Sequence, residues 1–295
     1  MKIRLAEHFG MCFGVRDALR KVHEVAGAGP VTVLGQLVHN PVVSAHLATL
    51  GVREGELGAV GDVETGGVVI TAHGAADGQR RAWREAGYAV TDTTCPLVRK
   101  AHAALAGLVR AGYFPVVIGR KGHVEVRGLT GDFAEAVVVE GEGDLNHLPT
   151  GVRLGVVSQT TQPVERVRRL VEAMRLTRPG QEVRFIDTVC QPTKDRQEAL
   201  EALCHECPVV VVVGGRNSNN TRELVARVQA LGAIGHHVEG ADDLDPQWFN
   251  GVETVGVTAG TSTLDETVET VVNRLRLLAA SLTPEPAHGL LRMLA

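Results

Sequence analysis

The sequence has few aromatic residues and no excess of positive charge. Phe, Trp and Tyr make up 3% of the 295 residues, and the formal net charge is −4. Proteins that bind nucleic acids neutralise phosphates with basic patches and often stack bases on aromatic rings. We therefore expect no nucleic-acid partner.

Long apolar segments are also missing. No run reaches the roughly 18 apolar residues that a membrane helix needs, and residues 1–8 lack the apolar core of a secretory signal peptide. The five cysteines are odd in number, which favours reduced thiols over a disulfide framework. From these absences we expect a cytoplasmic protein with no membrane association.

What the sequence does contain is an alternation of strand-like and helix-like segments, with 34 glycines for the turns between them. Apolar runs such as 31–34, 68–71 and 209–213 predict buried strands. The segments that follow them carry apolar residues at helical spacing, as in 95–109. This alternation predicts an α/β fold.

Two similar stretches each place a cysteine between a strand and a helix. They are Asp92-Thr93-Thr94-Cys95-Pro96 and Asp187-Thr188-Val189-Cys190-Gln191-Pro192, and Cys12 has the same context near the N-terminus. A thiol at a helix N-terminus lies at the positive end of the helix dipole. We therefore expect these thiols to lose their protons readily and to be metal ligands.

The three cysteines share a register with polar residues farther along the chain. His39, His123 and Ser218 follow them by 27, 28 and 28 positions, and His73, Thr160 and Ser262 by 61, 65 and 72. Such spacing predicts an internal repeat. The predicted units are residues 13–94, 95–189 and 190–281 together with 1–12, followed by a tail at 282–295. Because ligands gather at the carboxyl ends of parallel strands, we hypothesise that the units face one cleft.

The remaining cysteines, Cys204 and Cys207, form a CxxC motif. With Leu200 and Leu203 they complete an apolar helical stripe that ends before Pro208. That pattern favours a structural role in the core over a redox or metal site.

Three thiolates without a paired fourth have two main interpretations. They fit an iron–sulfur cluster with one open iron better than a structural zinc ion, which takes four ligands. Catalytic zinc with three protein ligands usually includes histidine, so it is the second interpretation.

Polar loops after several strands predict an anion site. His39, His73 and His123 follow strands, and the loops 214–221 and 259–263, which hold Ser218, Asn219, Asn220 and Ser262, precede helices. Backbone N–H groups and hydroxyls in such loops bind anions, although Ser and Asn also serve there as simple helix caps. Since no Walker lysine motif occurs, we predict an anchored diphosphate rather than a magnesium-bound nucleotide.

One carboxylate stands near this predicted anion site. Glu125 follows His123 by two residues, and Thr160 follows another strand. A carboxylate beside an anion is unfavourable unless it handles protons, so Glu125 is a candidate acid.

In these motifs and their order, the chain resembles the 4-hydroxy-3-methylbut-2-enyl diphosphate reductases, which end the methylerythritol phosphate route to isoprenoids. The resemblance runs from Cys12 to about Glu266. It implies three α/β/α units in a pseudo-threefold, trefoil-like arrangement around a [4Fe-4S] cluster with three cysteine ligands and one open iron. The implied ligands are Cys12, Cys95 and Cys190.

The resemblance also assigns roles in the pocket. It makes Glu125 and Thr160 the proton-delivering pair, and it makes the diphosphate pocket from His39, His73, His123, Ser218, Asn220 and Ser262. Asn219 stands where some members have serine, and Leu264 stands where a proline is common. The implied reaction is reductive dehydroxylation of an allylic diphosphate to isopentenyl and dimethylallyl diphosphates. No flavin or nicotinamide motif is evident, so the electrons are expected from a ferredoxin or flavodoxin.

Two alternatives stay open from the sequence. A quinolinate synthase-like enzyme also uses three thiolates and an open iron, but it acts on carboxylates. A non-catalytic iron–sulfur sensor would need no substrate pocket, so the polar residues around the cysteines disfavour it.

Overall fold

Short valine-rich segments form the central strands of three parallel sheets. This computed structural model describes residues 1–282. Strands that are buried on both faces, such as Val209–Val213, are continuous apolar runs. Such runs are expected where helices cover both sides of a parallel sheet. The α/β prediction is therefore confirmed.

Within residues 1–282 there are twelve strands: β1 Lys2–Leu5, β2 Val31–Leu34, β3 Arg53–Gly55, β4 Gly67–Ile70, β5 Ala89–Asp92, β6 Phe114–Ile118, β7 Val137–Val139, β8 Leu154–Ser158, β9 Val183–Phe185, β10 Val209–Val213, β11 Ile234–Val238 and β12 Thr254–Ala259. The same part of the chain has nine α-helices: α1 Phe13–Ala28, α2 Pro41–Thr49, α3 Asp77–Glu85, α4 Pro96–Arg110, α5 Val124–Thr130, α6 Val164–Thr177, α7 Gln191–Glu206, α8 Asn219–Ala230 and α9 Asp265–Leu282.

The three sheets have the same strand order. They run β3-β2-β4-β5, β7-β6-β8-β9 and β11-β10-β12-β1, and all neighbouring strands are parallel. In each sheet the strand at the last position leads directly to one of the cysteines: β5 to Cys95, β9 to Cys190 and β1 to Cys12. The predicted internal repeat is thus present. In the third sheet, β1 occupies the position that β5 and β9 occupy in the other two sheets.

Each sheet has its own apolar core on either face. The cores combine buried valines of the strands with one face of the flanking helices, for example Leu105 and Leu108 of α4 against Val117 of β6. The exact unit boundaries, with the second unit at 95–189, stay a prediction. The predicted tail at 282–295 lies outside the described residues except for Leu282, where α9 ends.

Candidate functional site

A cavity opens where loops from all three sheets meet. It lies at the carboxyl ends of the strands, the place where open α/β sheets bind ligands. The predicted site residues all line it: Cys12, His39, His73, Cys95, His123, Glu125, Thr160, Cys190, Ser218, Asn219, Asn220 and Ser262. The structure therefore brings together every residue that the sequence predicted, although it does not test their roles.

The three cysteines occupy equivalent positions in the fold. Each is the residue immediately before a helix: Cys12 before α1, Cys95 before α4 and Cys190 before α7. Their backbone N–H groups donate to loop carbonyls at 3.2, 3.0 and 2.9 Å, on Thr261, Ala72 and Thr160 respectively. Each cysteine is thus tied to a loop that also carries a predicted substrate-binding residue.

The predicted acidity of these thiols is wrong for two of them. Burial raises the pKa of Cys95, although the N–H groups of Leu97 and Val98 act in the opposite direction. Burial likewise raises the pKa of Cys190 to about 11, against hydrogen bonds from Thr193. Desolvation of the anion outweighs the helix terminus here, so these thiols need a bound cation to become thiolates.

The spacing of the cysteines suits a group larger than one metal ion. Among residues 1–282, the only set of three or more His, Cys, Asp or Glu residues with ligand atoms all within 4.8 Å is His39, His73 and His123. At least one pair of the cysteine sulfurs is farther apart than this, whereas thiolates on one zinc ion would be about 3.8 Å apart, from Zn–S bonds of about 2.3 Å. This spacing favours an iron–sulfur cluster over the zinc interpretation.

A glycine leaves the space beside one of these sulfurs. A Cβ atom at Gly14 would lie 2.5 Å from the Cys95 sulfur. Gly14 is on α1 and Cys95 precedes α4, so the absence of a side chain lets two cysteine-bearing helix ends approach each other closely.

The three histidines form one cluster in the cavity. Their ring centroids are 4.5 Å apart for His39 and His73, 5.4 Å for His39 and His123, and 5.6 Å for His73 and His123. The Nδ1 atom of His73 is buried without a hydrogen-bond partner. The cluster has the spacing of a metal site, and it equally presents several N–H donors to one anion.

Burial keeps these imidazoles neutral. It lowers the pKa of His39, that of His73 strongly, and that of His123 to about 4. In addition, His123 Nδ1 accepts a hydrogen bond of 3.1 Å from the Glu125 backbone N–H. The neutral ring of His123 therefore carries its proton on Nε2 and is a hydrogen-bond donor there.

The start of α8 supplies further polar groups. Ser218 caps this helix, accepting a hydrogen bond from the Thr221 N–H at 3.3 Å. Asn219 Nδ2, Asn220 Oδ1 and Thr221 Oγ1 are buried and have no partner. Of these atoms, Asn219 Nδ2 is a donor on a residue that lines the cavity, so an anionic ligand at this helix N-terminus, beside the imidazoles, would satisfy it.

Glu125 is the buried carboxyl of the cavity. It lies in the first turn of α5 with 2% of its surface exposed. Its Oε1 accepts a hydrogen bond from the Thr160 N–H at 2.6 Å, and its Oε2 lies 3.1 Å from the Thr160 hydroxyl. Burial raises the pKa of Glu125 to about 7, although both bonds to Thr160 act in the opposite direction. It can therefore hold or release a proton near neutral pH.

Two residues of α7 near the cysteines were missed from the sequence. The Thr193 hydroxyl lies 3.1 Å from the Cys190 sulfur. Arg196, one turn farther on, is buried and donates to the Gly10 and Pro192 carbonyls. Both residues follow Cys190 at short helical spacings, of three and six positions. Side chains at those spacings lie on the helix face near its start, so the spacing could have identified them from the sequence.

The CxxC motif lies outside this site. Cys207 is buried in an apolar cluster with Leu200 and Leu203, and Cys204 packs against that cluster. Burial raises the pKa of both thiols, that of Cys204 to about 11. The predicted structural role in the core is confirmed.

No helix in residues 1–282 has both the length and the apolar character needed to cross a membrane.

Comparisons with known proteins agree with this architecture. The family described as LytB protein matches residues 3–276. A 4-hydroxy-3-methylbut-2-enyl diphosphate reductase of Aquifex aeolicus is 38% identical over 282 residues, covering 93% of this chain and 96% of the relative. The enzyme of the same name from Geobacter sp. strain M21 is 41% identical, covering 93% and 97%.

Solved structures agree as well. The E-1-hydroxy-2-methyl-but-2-enyl-4-diphosphate reductase from Plasmodium falciparum superposes with a TM-score of 0.86 at 29% identity, over 92% of this chain and 87% of that one. An (E)-4-hydroxy-3-methyl-but-2-enyl diphosphate reductase, described as the terminal enzyme of the non-mevalonate pathway, gives a TM-score of 0.68 at 37% identity, over 94% and 100%. The pseudo-threefold prediction is consistent with this likeness.

Proposed function

The chain belongs to the LytB protein family, and on this basis we propose that it is the oxidoreductase that converts 4-hydroxy-3-methylbut-2-enyl diphosphate to isopentenyl and dimethylallyl diphosphates. One observation supports this activity above all. A single cavity contains three helix-capping cysteines, three clustered histidines and a buried carboxyl. Those three parts serve electron supply, anion binding and proton supply, the three needs of a reductive dehydroxylation of a diphosphate.

The family uses an iron–sulfur cluster. We assign a [4Fe-4S] cluster with one open iron to Cys12, Cys95 and Cys190, because these residues line one cavity and at least one pair of their sulfurs is more than 4.8 Å apart. When bound, the cluster supplies electrons one at a time and offers an open coordination position to the substrate.

The polar side of the cavity holds the diphosphate in this proposal. His39, His73 and His123 offer ring N–H groups, and Ser218, Asn219, Asn220 and Ser262 offer hydroxyl and amide groups. The partnerless Asn219 Nδ2 supports the assignment, since it is a buried donor that a phosphate oxygen would satisfy. Anchoring the diphosphate there orients the other end of the substrate toward Glu125 and the cysteines.

Glu125 and Thr160 supply protons. When Glu125 is protonated, its Oε1 still accepts the hydrogen bond from the Thr160 N–H. The acid proton is therefore on Oε2, which lies next to the Thr160 hydroxyl. That hydroxyl is then free to donate its own proton into the cavity. The pair can therefore pass a proton from the buried carboxyl to the substrate.

The reaction balances with two electrons and two protons. The allylic C–O bond breaks, the hydroxyl group takes one proton and leaves as water, and the carbon skeleton takes the two electrons and the second proton. Proton transfer from Thr160, with Glu125 behind it, makes the hydroxyl a better leaving group.

The electrons come from another protein. The sequence has no nicotinamide or flavin motif, so we propose a ferredoxin or flavodoxin as the donor.

All five cysteines are free, as a reducing compartment would leave them, and we propose that the protein is located in the cytoplasm.

The comparisons favour this activity over the two alternatives. The matched relatives carry the name of the diphosphate reductase and not that of a quinolinate synthase. A sensor without a substrate would have no use for the buried and partnerless polar atoms beside the histidines.

Replacing one cluster ligand tests the proposal. After anaerobic purification, C95S should lose the visible absorption of the cluster and its turnover with a strong one-electron donor. The matched control is C204S, which changes a cysteine of the core and should keep both. Parental absorption and turnover in C95S would refute the ligand assignment, and a cluster-bearing parent that does not reduce the diphosphate would refute the activity.

A further inference from the structure

One arginine is buried between two of the three cysteine loops. Arg196, on α7, is 6% exposed. Its Nη1 donates to the Pro192 carbonyl at 2.7 Å, and its Nη2 donates to the Gly10 carbonyl at 2.6 Å. Gly10 precedes Cys12 by two residues, and Pro192 follows Cys190 by two. A single guanidinium thus joins the first turn of α7, which follows Cys190, to the loop before Cys12, although these two predicted cluster ligands are far apart in the sequence.

This arginine breaks the threefold pattern of the fold. The residues six positions after Cys12 and Cys95 are Ala18 and Ala101, both fully buried. In sheet order and in the anchoring of the cysteines the three units are otherwise alike. Since alanine fills the equivalent position in two units, packing alone does not demand an arginine in the third.

The charge of Arg196 is only partly satisfied by its surroundings. Within residues 1–282, both of its hydrogen bonds go to neutral carbonyls, and its Nε atom is buried without a partner. Burial lowers the pKa of Arg196 and Arg16 acts in the same direction, while Cys12, Cys190 and Asp195 act in the opposite direction. A buried cation of this kind is unfavourable unless anions accompany it, and a negatively charged group bound by the cysteines would add to the Asp195 carboxylate.

We propose that Arg196 is a positioning residue whose fixed positive charge stabilises the reduced, more negative form of the iron–sulfur cluster, on the side of Cys12 and Cys190. This inference rests on the proposed function, which places the cluster there. Each electron that arrives from the donor protein adds one negative charge to the cluster, and a nearby cation in a poorly hydrated site favours that charge. The Thr193 hydroxyl, 3.1 Å from the Cys190 sulfur, acts in the same direction.

Three variants separate the charge of Arg196 from its shape. R196M removes the charge and keeps a flexible apolar stem, whereas R196K keeps the charge and loses the planar fork. R168M is the matched control, because Arg168 is an exposed arginine on α6. Each protein is purified anaerobically with its cluster, and the midpoint potential is measured by redox titration followed by visible absorption and electron paramagnetic resonance.

In R196M we expect the ratio of reduced to oxidised cluster at a given applied potential to fall about tenfold, equivalent to about 59 mV. R196K and R168M should stay near the parent. A parental potential in R196M would overturn the proposal. A shift in R196K as large as in R196M would also overturn it, because the role would then be that of a loop clamp.

If R196M holds no cluster, R196Q, which also removes the charge but keeps a hydrogen-bond donor, is titrated in its place, and a parental potential in R196Q would overturn the proposal. A parent chain that binds no cluster would refute the proposed function together with this inference. A parent with a cluster and an unchanged potential in R196M refutes this inference alone.

Discussion

At the scale of single residues, burial shifts the titratable groups of the cavity toward their neutral forms. Burial lowers the pKa of the three histidines and raises that of Glu125. An anionic substrate therefore enters a cavity with hydrogen-bond donors but no carboxylate that repels it while Glu125 is protonated. Because the interior of the cavity has a low local dielectric constant, a charge on the substrate interacts strongly with the polar groups around it.

Replacing Glu125 by glutamine should stop turnover and leave binding intact. Glutamine has nearly the same shape and can still accept the Thr160 N–H bond, but it cannot release a proton. We expect turnover to fall by about 10²–10⁴-fold, while the cluster absorption and the substrate dissociation constant stay close to the parental values. Near-parental turnover of E125Q in an anaerobic assay would remove Glu125 from the proton path.

The same substitution should change how stability depends on pH. The pKa of Glu125 is raised from 4.5 to about 7 in the folded protein. Its contribution to stability is therefore fully present below about pH 4.5 and is lost as the pH rises through about 7. Cluster-free E125Q should thus gain stability over the parent between these pH values, by on the order of 3 kcal/mol.

Urea unfolding of both cluster-free proteins at pH 5 and pH 8 measures this difference. E135Q, which changes an exposed glutamate, serves as the control and should follow the parent at both pH values. If the E125Q and parental stabilities differ by the same amount at pH 5 and pH 8, the raised pKa is wrong.

The set of predicted residues that line the cavity could be read from the sequence, whereas their acid–base state could not. Cys95 and His123 were found because residues of one chemical type recur at a fixed register, which is a local property of the sequence. The raised pKa of Cys95 depends on how deeply the folded chain buries it, and the sequence does not contain that burial explicitly. Arg196 was missed because it breaks the repeat from which the other residues were recognised.

At the scale of helices and strands, α1 and α4 meet at their N-termini through a glycine. Gly14→Ala would place a Cβ atom 2.5 Å from the Cys95 sulfur and 3.2 Å from its Cβ. Because the neighbour is a proposed cluster ligand held by its own helix, we expect the strain of about 1–3 kcal/mol to fall on the proposed cluster site. We expect a reduced iron content in purified G14A, measured with a ferrous chelator.

Gly27→Ala in the same helix is the control for this prediction. A Cβ atom there would meet nothing within 4 Å, and alanine should stabilise the helix by about 0.5–1 kcal/mol. A parental iron content in G14A would show that the contact at Cys95 relaxes without moving the sulfur.

The central strands were predictable and several edge strands were not. Val209–Val213 is an uninterrupted apolar run, so its sequence alone indicates burial on both faces. Arg53–Gly55, in contrast, has three residues, two of them charged, and it becomes a strand by pairing with β2. Ile234–Val238 contains two histidines and pairs with β10. Such strands depend on a neighbour and not on their own propensity.

At the scale of the whole molecule, side chains of one unit complete the helices of another. Helix α3 begins after Ala76, which has no side-chain oxygen to cap it. Asp132, beyond α5, supplies the cap instead, accepting the N–H groups of Asp77 at 2.6 Å and Gly78 at 2.9 Å. These bonds connect the segment after His73 with the helix that carries Glu125.

Asp132→Ala should weaken this connection. We expect a loss of about 1 kcal/mol in the free energy of unfolding, the usual effect of removing a helix cap, measured by urea unfolding. Asp62→Ala, at an exposed loop position, should change it by less than about 0.5 kcal/mol. Equal stability of D132A and the parent would mean that water replaces the carboxylate without loss.

The position of β1 has a consequence for synthesis of the chain. The first strand, Lys2–Leu5, pairs with β12 at Thr254–Ala259, the last strand within residues 1–282. The first two complete sheets contain only residues between 31 and 185 and can form as the chain leaves the ribosome. The third sheet forms later, because its edge strand β1 is synthesised first and its central strand β12 is synthesised after the other eleven strands of residues 1–282. We therefore expect Cys12 to reach its place beside the other two cysteines only after β12 has been made, so that the proposed cluster is inserted after the synthesis of all three sheets.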